Sequence, residues 1–577
     1  MKKIPPLMAA GRLKQMLLLV FIGILQAAAT ISSSFLAKTV FDRILSANTA
    51  TSNEQLLVFG VSLAAIAIVI GCLSMAERVV AEKIGQSYAE TVRMTLYDRL
   101  TTLPQRALQR RSQGGVMLRF VGDLTAVRQW VSLGMARLIV IGLTAIGSLS
   151  ALAVVNGILA GTVGIVLLVG TGISISHGQQ MRSASRESRR RMSRLAANIN
   201  EKVGALSVLQ VFGQSERERV RMQRQSRQLR RAMVEKARVG GKIRGLAEGF
   251  SAFAYGAALV VGAMQVNLSL ASPGTVIAAL TVISLLVPKL RELGRVQEYW
   301  HGFNVSRQKM AEFLNIPSQL NELPNAPHLK PSLGRLEFNQ VSSGILKEIT
   351  ATAEPGSVVA VVGTNGAGKT TLLSLVARLI DPDSGEVLID GQNIRLFTLS
   401  SLRKLIGVAG PDFPLLRGTL ERNLMYRDPQ ASDEECERVK KLCGIDEVLT
   451  SLPDGIQTRI AEGGAGLSAG QRQRIALARA LLGNPSILLL DEADTNLDAQ
   501  AGSVIDQVLA QHTGTVLLIT HRRERIAKAD QVWFIDGGRL LEVGTPEQVL
   551  SGSGPAAKFF TPRLAVAKNP LQKLASG

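Results

Sequence analysis

Charged residues are scarce in this chain of 577 residues. They make up 19% of it, whereas hydrophobic residues make up 46%. An ordinary soluble domain has about 25% charged residues, so the balance excludes wholesale disorder and predicts membrane-spanning segments. The length exceeds the roughly 250–300 residues that one hydrophobic core can serve, and at least two domains are therefore expected.

Cysteine is also scarce, with Cys72, Cys436 and Cys443 as the full set. Three cysteines cannot form a disulfide framework. Cys436 and Cys443 lack the close-spaced Cys and His neighbours of a zinc site. We interpret all three as ordinary reduced thiols.

Long apolar runs occupy only the first half of the chain. The run 138–175 is about twice the roughly 20 residues that a spanning helix needs, and we expect it to fold back at Asn156 and Gly157. The first run also resembles a signal peptide, but five further spans follow it, which favours a membrane span here too. The sequence therefore predicts six transmembrane helices, at about 16–37, 56–76, 135–155, 157–176, 248–266 and 275–294.

Basic residues set the predicted orientation. The segment 177–245 holds 18 Lys and Arg against 5 Asp and Glu, whereas the Asn156-Gly157 turn and the loop 267–274 carry no charge. Cytoplasmic loops are rich in Lys and Arg, which places both termini of a multi-pass inner-membrane protein in the cytoplasm. This distribution accounts for the net charge of +21, so we do not expect nucleic acid as a partner. Membrane lipids are expected partners.

The connections 77–134 and 177–248 are polar but keep apolar residues at helical spacing, so the membrane helices should continue into the cytoplasm. They should bend near 103–123 and 198–213. A third extension should run through 288–313, with a kink at Pro288. Four prolines in 316–331 mark a linker. The predicted domains are an all-α polytopic membrane domain at 1–316, a linker at 317–333, an α/β P-loop NTPase cassette at 334–560 and a cytoplasmic tail at 561–577.

A phosphate-binding loop follows the apolar strand 358–362. The sequence from Gly363 onward reads G-x-x-x-x-G-K-T, and a helix is predicted after it. Glycines allow backbone N–H groups to surround phosphates, Lys369 can reach the β and γ phosphates, and the Thr370 hydroxyl can bind Mg²⁺. The candidate ATP-binding residues here are Gly363, Thr364, Asn365, Gly366, Ala367, Gly368, Lys369, Thr370 and Thr371.

Further candidate residues lie at the ends of two more strands and at a helix start. Asp491 ends the strand 487–490 and can hold Mg²⁺, while Glu492 can activate a water for attack on the γ-phosphate. Ser468, Gly470 and Gln471 lie where a helix begins, a position that favours anions. His521 follows the strand 516–519 and can contact the γ-phosphate. A lone histidine or a simple helix cap could also be purely structural.

These motifs, in this order, resemble the ATP-binding cassette exporters that fuse six membrane helices to one nucleotide-binding domain. The resemblance covers essentially the whole chain and includes Leu467–Gln471 as the signature, 495–498 as the D-loop and His521 as the switch histidine. It implies an ATPase that uses ATP and Mg²⁺. It also implies a dimer, with a homodimer favoured over a heterodimer, in which each ATP lies between one chain's phosphate loop and the other's signature. The cytoplasmic bends resemble the family's coupling helices.

Three positions depart from the family pattern. Pro411 stands where the family places a glutamine that touches Mg²⁺, and the neighbouring Asp412 could supply an oxygen instead. The segment 341–346 lacks the aromatic residue that stacks on adenine. Ala469 replaces the first signature glycine. A second interpretation therefore stays open, in which the chain is a weakly hydrolysing or regulatory subunit beside a more active half-transporter.

The cargo is predicted only as a class. Polar residues cluster in the first span, at Gln26, Thr30, Ser32, Ser33 and Ser34. They could line a cavity or form hydrogen bonds between helices, and the sequence does not separate these alternatives. Because the spans hold almost no ionisable residue near their centres, we expect an amphipathic or hydrophobic cargo such as a lipid, a drug-like compound or a modified peptide.

Overall fold

The computed structural model of the chain describes residues 4–8, 10–45, 53–103, 116–117, 119–317, 320, 322–323, 325–330, 333–493, 499–551 and 553–560. The chain divides into two compact units, of which the first lies within residues 1–316 and the second consists mainly of residues 317–577. The predicted D-loop 495–498, the tail 561–577 and most of the bend 103–123 lie outside the described residues.

The first unit is helical throughout nearly all of its described length. Two π-helical segments, Arg119–Asp123 and Trp130–Met135, flank the short helix α3. The helices are α1 (Ala10–Leu45), α2 (Asn53–Thr101), α3 (Leu124–Gln129), α4 (Ala136–Val155), α5 (Gly157–Ser176), α6 (Gly178–Gly204), α7 (Leu206–Val211), α8 (Ser215–Asn267) and α9 (Pro273–Leu314).

Among the described residues, five helices are long and apolar enough to cross a membrane. They are Gly11–Ile44, Asn53–Thr101, Arg119–Val155, Gly157–Gly204 and Ser215–Asn267. The sixth predicted span, 275–294, falls in α9, whose apolar segment Pro273–Lys289 is shorter. It would reach about 25 Å at 1.5 Å per residue, slightly less than the roughly 30 Å hydrocarbon layer. That this segment crosses the membrane therefore stays a prediction. Pro288, where a kink is predicted, lies inside the continuous helix α9.

Polar side chains of the first span bind neighbouring helices and its own backbone. The Gln26 amide donates to Glu77 Oε2 of α2 at 2.8 Å, and Lys289 Nζ of α9 donates to Gln26 Oε1 at 2.7 Å. The Ser34 hydroxyl donates to the Ala278 carbonyl at 3.1 Å. Within one chain, Gln26 and Ser34 therefore form hydrogen bonds between helices, which is one of the two roles that the sequence left open for them.

A carboxylate caps the contact between the end of α1 and the start of α9. Asp42 accepts hydrogen bonds from Ser272 Oγ at 2.9 Å and from the Gly274 amide at 2.8 Å. Lys38 forms an ion pair with the same carboxylate at 2.9 Å. A Cβ at Gly274 would lie 2.3 Å from the Lys38 carbonyl oxygen, so only glycine allows this approach.

The second unit alternates strands and helices. Its strands are β1 (Leu336–Ser343), β2 (Leu346–Ala353), β3 (Val358–Gly363), β4 (Ser384–Ile389), β5 (Gln392–Asn393), β6 (Ile406–Ala409), β7 (Gly418–Thr419), β8 (Arg459–Ile460), β9 (Ile487–Asp491), β10 (Thr515–Ile519), β11 (Gln531–Asp536) and β12 (Arg539–Gly544). Its helices are α10 (Lys369–Val376), α11 (Leu399–Lys404), α12 (Leu420–Leu424), α13 (Asp433–Leu442), α14 (Ile445–Thr450), α15 (Ala469–Leu481), α16 (Ala499–Gln511), α17 (Arg523–Ile526), α18 (Pro546–Ser551) and α19 (Pro555–Phe560).

A six-stranded sheet forms the centre of this unit, in the order β12-β11-β3-β10-β9-β6. All neighbours are parallel except β12, which pairs antiparallel with β11. The strands β9 and β10 are buried at every position because helices or a second sheet cover both faces. The second sheet, β2-β1-β4-β5, is antiparallel and packs its apolar side against the first through residues such as Phe338 and Trp533. The predicted fold class, a helical membrane domain followed by an α/β cassette, is confirmed.

A fully buried arginine ties the loop after α10 to the turn after β5. Arg378 is 0% exposed, donates to the Ile394 and Phe397 carbonyls at 3.0 and 2.9 Å, and pairs with Asp381 at 3.0 Å. Removing a buried charge from such a set leaves its partners unpaired.

We expect Arg378→Met to destabilise the second unit by about 3–5 kcal/mol. Thermal unfolding of the full chain should then show a transition lowered by about 10 °C. The matched control is Arg539→Met, because the Arg539 side chain is 60% exposed and only approaches Glu348 at 4.0 Å. Equal melting temperatures for the two variants would contradict the assigned role.

Candidate functional site

The loop 363–371 turns sharply out of β3 and leads into α10. Gly366 and Gly368 have φ of +81° and +107°, in the left-handed region that glycine adopts without strain. Position 363 requires glycine, because a Cβ there would lie 1.8 Å from the Ile535 carbonyl oxygen of β11. The Thr364 hydroxyl donates to Asp536 Oδ1 at 2.5 Å and ties the loop to the end of β11. The loop therefore has a fixed shape set by the neighbouring strand.

Lys369 folds over this loop. Its Nζ donates to the Gly363 carbonyl at 2.8 Å and to the Thr364 carbonyl at 3.0 Å. The side chain is 6% exposed, and burial lowers the pKa of the Lys369 ammonium, opposed by the charges of Glu492 and Asp491. A buried cation held mainly by carbonyl oxygens can exchange these partners for an anion at little cost.

Asp491 lies at the carboxyl end of β9 and is also buried, with 6% exposure. Burial raises the pKa of its carboxyl, and the charges of Glu492 and Asp412 add to the rise. A hydrogen bond from Thr370 and the charge of Lys369 act in the opposite direction. A hydroxyl and a carboxylate in contact are oxygen ligands of the type that Mg²⁺ prefers, so Thr370 and Asp491 could hold this ion together.

Glu492 and His521 are brought together by parallel pairing. Asp491 of β9 is paired with Ile519 of β10, and the Glu492 amide donates to the Ile519 carbonyl at 3.1 Å. Glu492 Oε1 then lies 3.6 Å from His521 Nε2, and both side chains are about 40% exposed. Glu492 has a φ of +46°, a sparsely populated conformation for a non-glycine residue. Such strain is frequent at functional sites.

Ser468 caps the start of α15. Its hydroxyl accepts from the Gln471 amide at 3.1 Å, while Gln471 Oε1 accepts from the Ser468 amide at 2.8 Å, which makes a capping box. Gly470 is buried, and Ser468 and its cap are at the surface. No hydrogen bond or ion pair joins Ser468, Gly470 or Gln471 to the phosphate loop in the part of the chain that the structure describes.

The segment at Pro411 lies beside Asp491. Parallel pairing sets Ala409 of β6 against Leu490 of β9, and a Cβ on Gly410 would lie 2.7 Å from the Asp491 carbonyl oxygen. Pro411 and Asp412 follow at the surface. Asp412 is near enough for its charge to contribute to the raised pKa of Asp491, in keeping with the expectation that it could supply an oxygen beside Pro411.

Aliphatic residues flank the phosphate loop on the side of the β1–β2 turn. A Cβ at Gly368 would lie 2.5 Å from Leu346 Cδ2 and 3.0 Å from Ile345 Cγ2. Ile345 is 45% exposed. The position next to the loop is therefore filled by aliphatic side chains, and the described residues of this turn include no aromatic ring.

Comparison with known families matches both units. The model for the ABC transporter transmembrane region matches residues 16–289, and the model for the ABC transporter matches residues 346–495. An ATP-dependent lipid A-core flippase from Desulfotalea psychrophila is 27% identical over 92% of this chain and 94% of its own length. A multidrug efflux ATP-binding/permease protein from Mycobacterium tuberculosis is 30% identical over 89% of this chain and 44% of its own length.

A solved structure shows the same fold. The structure of a bacterial Atm1-family ABC exporter with ATP bound superposes with a TM-score of 0.82, over 95% of this chain and 98% of that chain, at 24% identity. The two family matches follow the order of the two units and together cover most of the sequence. The chain therefore belongs to the ABC transporters, with a transmembrane region and an ATP-binding cassette joined in one polypeptide.

Proposed function

We propose that this protein is an ATP-driven exporter that moves an amphipathic or hydrophobic compound across the cytoplasmic membrane. The observation that carries the proposal is the meeting of Lys369, Thr370, Asp491, Glu492 and His521 at one edge of the parallel sheet. This edge offers a cation for phosphate, oxygen ligands for a metal and a carboxylate within reach of water. The family match supports ATP as the nucleotide.

Each residue has a role that follows from its position. Backbone N–H groups of 363–371 and the Lys369 ammonium hold the phosphates, and Thr370 and Asp491 hold Mg²⁺. When bound, Mg²⁺ would neutralise phosphate charge. Glu492 accepts the proton of the attacking water, and His521, 3.6 Å away, orients that water or contacts the γ-phosphate.

The signature segment contributes to the site of a second copy. Ser468 is already bound within its own capping box, yet its exposed helix start is free to receive an anion from outside. We infer a dimer, most simply of two identical chains, in which Ser468, Gly470 and Gln471 of one copy complete the nucleotide site of the other. This explains why no described contact joins the two motifs within one chain.

Closure of such a dimer around ATP supplies the work of transport. A ligand shifts an equilibrium only by its differential affinity, so ATP must bind the closed cassettes far more tightly than the open ones. Hydrolysis then releases the closed state. We place the chain in the inner membrane with both termini cytoplasmic, because the basic segment 177–245 belongs on that side.

The cargo class rests on the apolar spans and on the relatives. One relative is named a lipid A-core flippase and another a multidrug efflux protein, and a lipid or a drug-like compound falls within the proposed cargo class. The second candidate, a regulatory subunit in a heterodimer, rests on Pro411 and on the aliphatic residues at the adenine position. Of the variants below, Pro411→Gln and Asp412→Asn bear on this second candidate.

Glu492→Gln should reduce ATP turnover by at least about 100-fold, because the water loses its proton acceptor, while ATP affinity changes by less than about threefold. Phosphate release and nucleotide binding measured on the same preparation check this. Glu547→Gln is the matched control, since Glu547 is exposed in α18. Unchanged turnover in Glu492→Gln would remove Glu492 from the role of general base.

Lys369→Ala should weaken ATP binding by about 100-fold or more, because charge-assisted hydrogen bonds to the phosphates are lost. Binding of a fluorescent ATP analogue measures the effect. Lys528→Ala serves as control, because the Lys528 side chain is 65% exposed and pairs only with Asp506 among the ion pairs of the described residues. Near-normal affinity in Lys369→Ala would undo the assignment of the phosphate loop.

Asp412→Asn should raise the Mg²⁺ concentration for half-maximal turnover several-fold if Asp412 replaces the family's glutamine. Adding Pro411→Gln to this variant should restore the lost Mg²⁺ affinity, whereas Pro411→Gln alone should have a small effect. Mn²⁺ binding in the presence of ADP gives a readout independent of turnover. A large gain of hydrolysis from Pro411→Gln alone would show instead that the missing ligand limits the enzyme.

A further inference from the structure

A basic cavity lies in the first unit, outside the apolar segments of its helices. Its volume is about 230 Å³, and its walls come from α6, from α9 and from Asp123 just before α3. On α6, Arg182, Arg186 and Arg189 recur at helical spacing and therefore share one face. The cavity takes its character from these three guanidinium groups.

The opposite wall belongs to α9 and adds a fourth cation. His301 and Lys309 line it, and the guanidinium of Arg189 approaches Gly302, where a Cβ would lie 3.9 Å from both terminal nitrogens. Burial and the charges of Arg182 and Arg186 lower the pKa of the His301 imidazole. This shift favours the neutral imidazole, which can donate one N–H without adding charge.

The acidic residues of the cavity are already engaged. Glu298 accepts from Lys236 Nζ at 3.2 Å. Asp123 accepts from the Ser306 hydroxyl at 2.9 Å and lies 3.5 Å from Arg119. Arg182, Arg186, Arg189 and Lys309, by contrast, form no ion pair with any residue in the described part of the chain. Four cations thus face a cavity that holds two carboxylates, Asp123 and Glu298, each of which is already paired with a different cation.

Three buried polar atoms in the cavity wall also lack a hydrogen-bond partner among the described residues, and one of them is Asp123 Oδ2, which lies 3.5 Å from Arg119. Ser185 is 7% exposed, and its hydroxyl has no hydrogen-bond partner among the described residues. The same holds for the buried Nε of Arg182. Buried donors of this kind are normally satisfied, so these two donors are available to a group with acceptor oxygens.

We propose that this cavity binds the phosphate group of a phosphorylated ligand on the cytoplasmic side of the membrane. A phosphate monoester carries up to two negative charges, and a diphosphate carries more. Their acceptor oxygens match the arginine side chains of one helix and the lysine of another. The volume accommodates such a group but not a whole drug-sized molecule, which needs about 300 Å³ or more. The remainder of the ligand therefore lies outside the cavity.

The position along the helices suggests where the ligand comes from. His301 is twelve residues beyond Lys289, the end of the apolar segment of α9, or about 18 Å along the helix axis. Arg182 lies closer to the end of α5. The phosphate can thus belong to a soluble compound or to a lipid headgroup, and the experiment below separates the two sources.

Tryptophan fluorescence gives a direct readout. Trp300 precedes His301 and packs against Trp130 with ring centroids 4.7 Å apart, and both stack with Phe303. The full chain, carrying Lys369→Ala to remove phosphate binding at the cassette, is reconstituted in phosphatidylcholine nanodiscs without nucleotide and titrated with inorganic pyrophosphate. Because no ATP is present, the result is independent of whether the protein hydrolyses ATP or transports.

We expect saturable pyrophosphate binding that Arg186→Gln weakens at least tenfold and Ser185→Ala several-fold. Arg190→Gln is the matched control, because Arg190 is an exposed neighbour on α6 that does not line the cavity. Ser185→Ala removes no charge, so it provides an independent test if Arg186→Gln does not fold correctly. Equal affinity in Arg186→Gln and Arg190→Gln would show binding to a generally basic surface and overturn the proposal.

A second arm uses nanodiscs that contain phosphatidic acid, with bound lipid measured by native mass spectrometry. Retention that depends on Arg186 but not on Arg190 would identify a lipid headgroup as the source, whereas pyrophosphate binding alone would indicate a soluble ligand. No specific binding in either arm would overturn the proposal. So would a loss of dimer in Arg186→Gln at unchanged pyrophosphate affinity, because the arginine would then pair with the partner subunit.

Discussion

Parallel pairing of β3, β9 and β10 is the constraint on which the nucleotide site depends. Parallel strands end at the same edge of a sheet. The loop after β3, Asp491 at the end of β9 and His521 after β10 therefore lie close together. A shift of one residue in this register would turn Asp491 toward the opposite face. Full burial of β9 and β10 makes such a shift costly, and the apolar core thereby positions the chemistry.

The two units keep their polar groups for different purposes. In the membrane unit, Gln26 binds side chains of two other helices, and Asp42 binds the start of α9, so both fix helix packing. In the cassette, Lys369 is buried with carbonyl partners that an anion can replace. The basic cavity at Arg182 and Arg186 resembles the second case, because its charges face an open volume.

Local motifs made most of the cassette site predictable. The phosphate loop and Asp491 are specified by residues within a few positions of a buried strand, and the fold class follows from hydropathy and strand–helix alternation. The role of the polar residues in the first span was not predictable, since Gln26 meets Lys289 only in three dimensions. The same is true of the basic cavity, whose walls are helices remote from each other in sequence. The proposed contacts of the signature lie between two chains, so the sequence gives them only through the family resemblance and not through a pattern within one chain.

Steady-state Mg²⁺-dependent ATP turnover by the purified chain, alone in lipid nanodiscs, is the first measurement needed for the proposed ATP-driven exporter. If both composite sites of a dimer are needed, turnover should be cooperative. When the chain is mixed with an excess of Lys369→Ala chains, the fractional loss of turnover should then exceed the fraction of Lys369→Ala chains in the mixture. Tight ATP binding without hydrolysis would contradict the proposed function. That result would direct attention to Pro411 and to a partner half-transporter that supplies the missing activity.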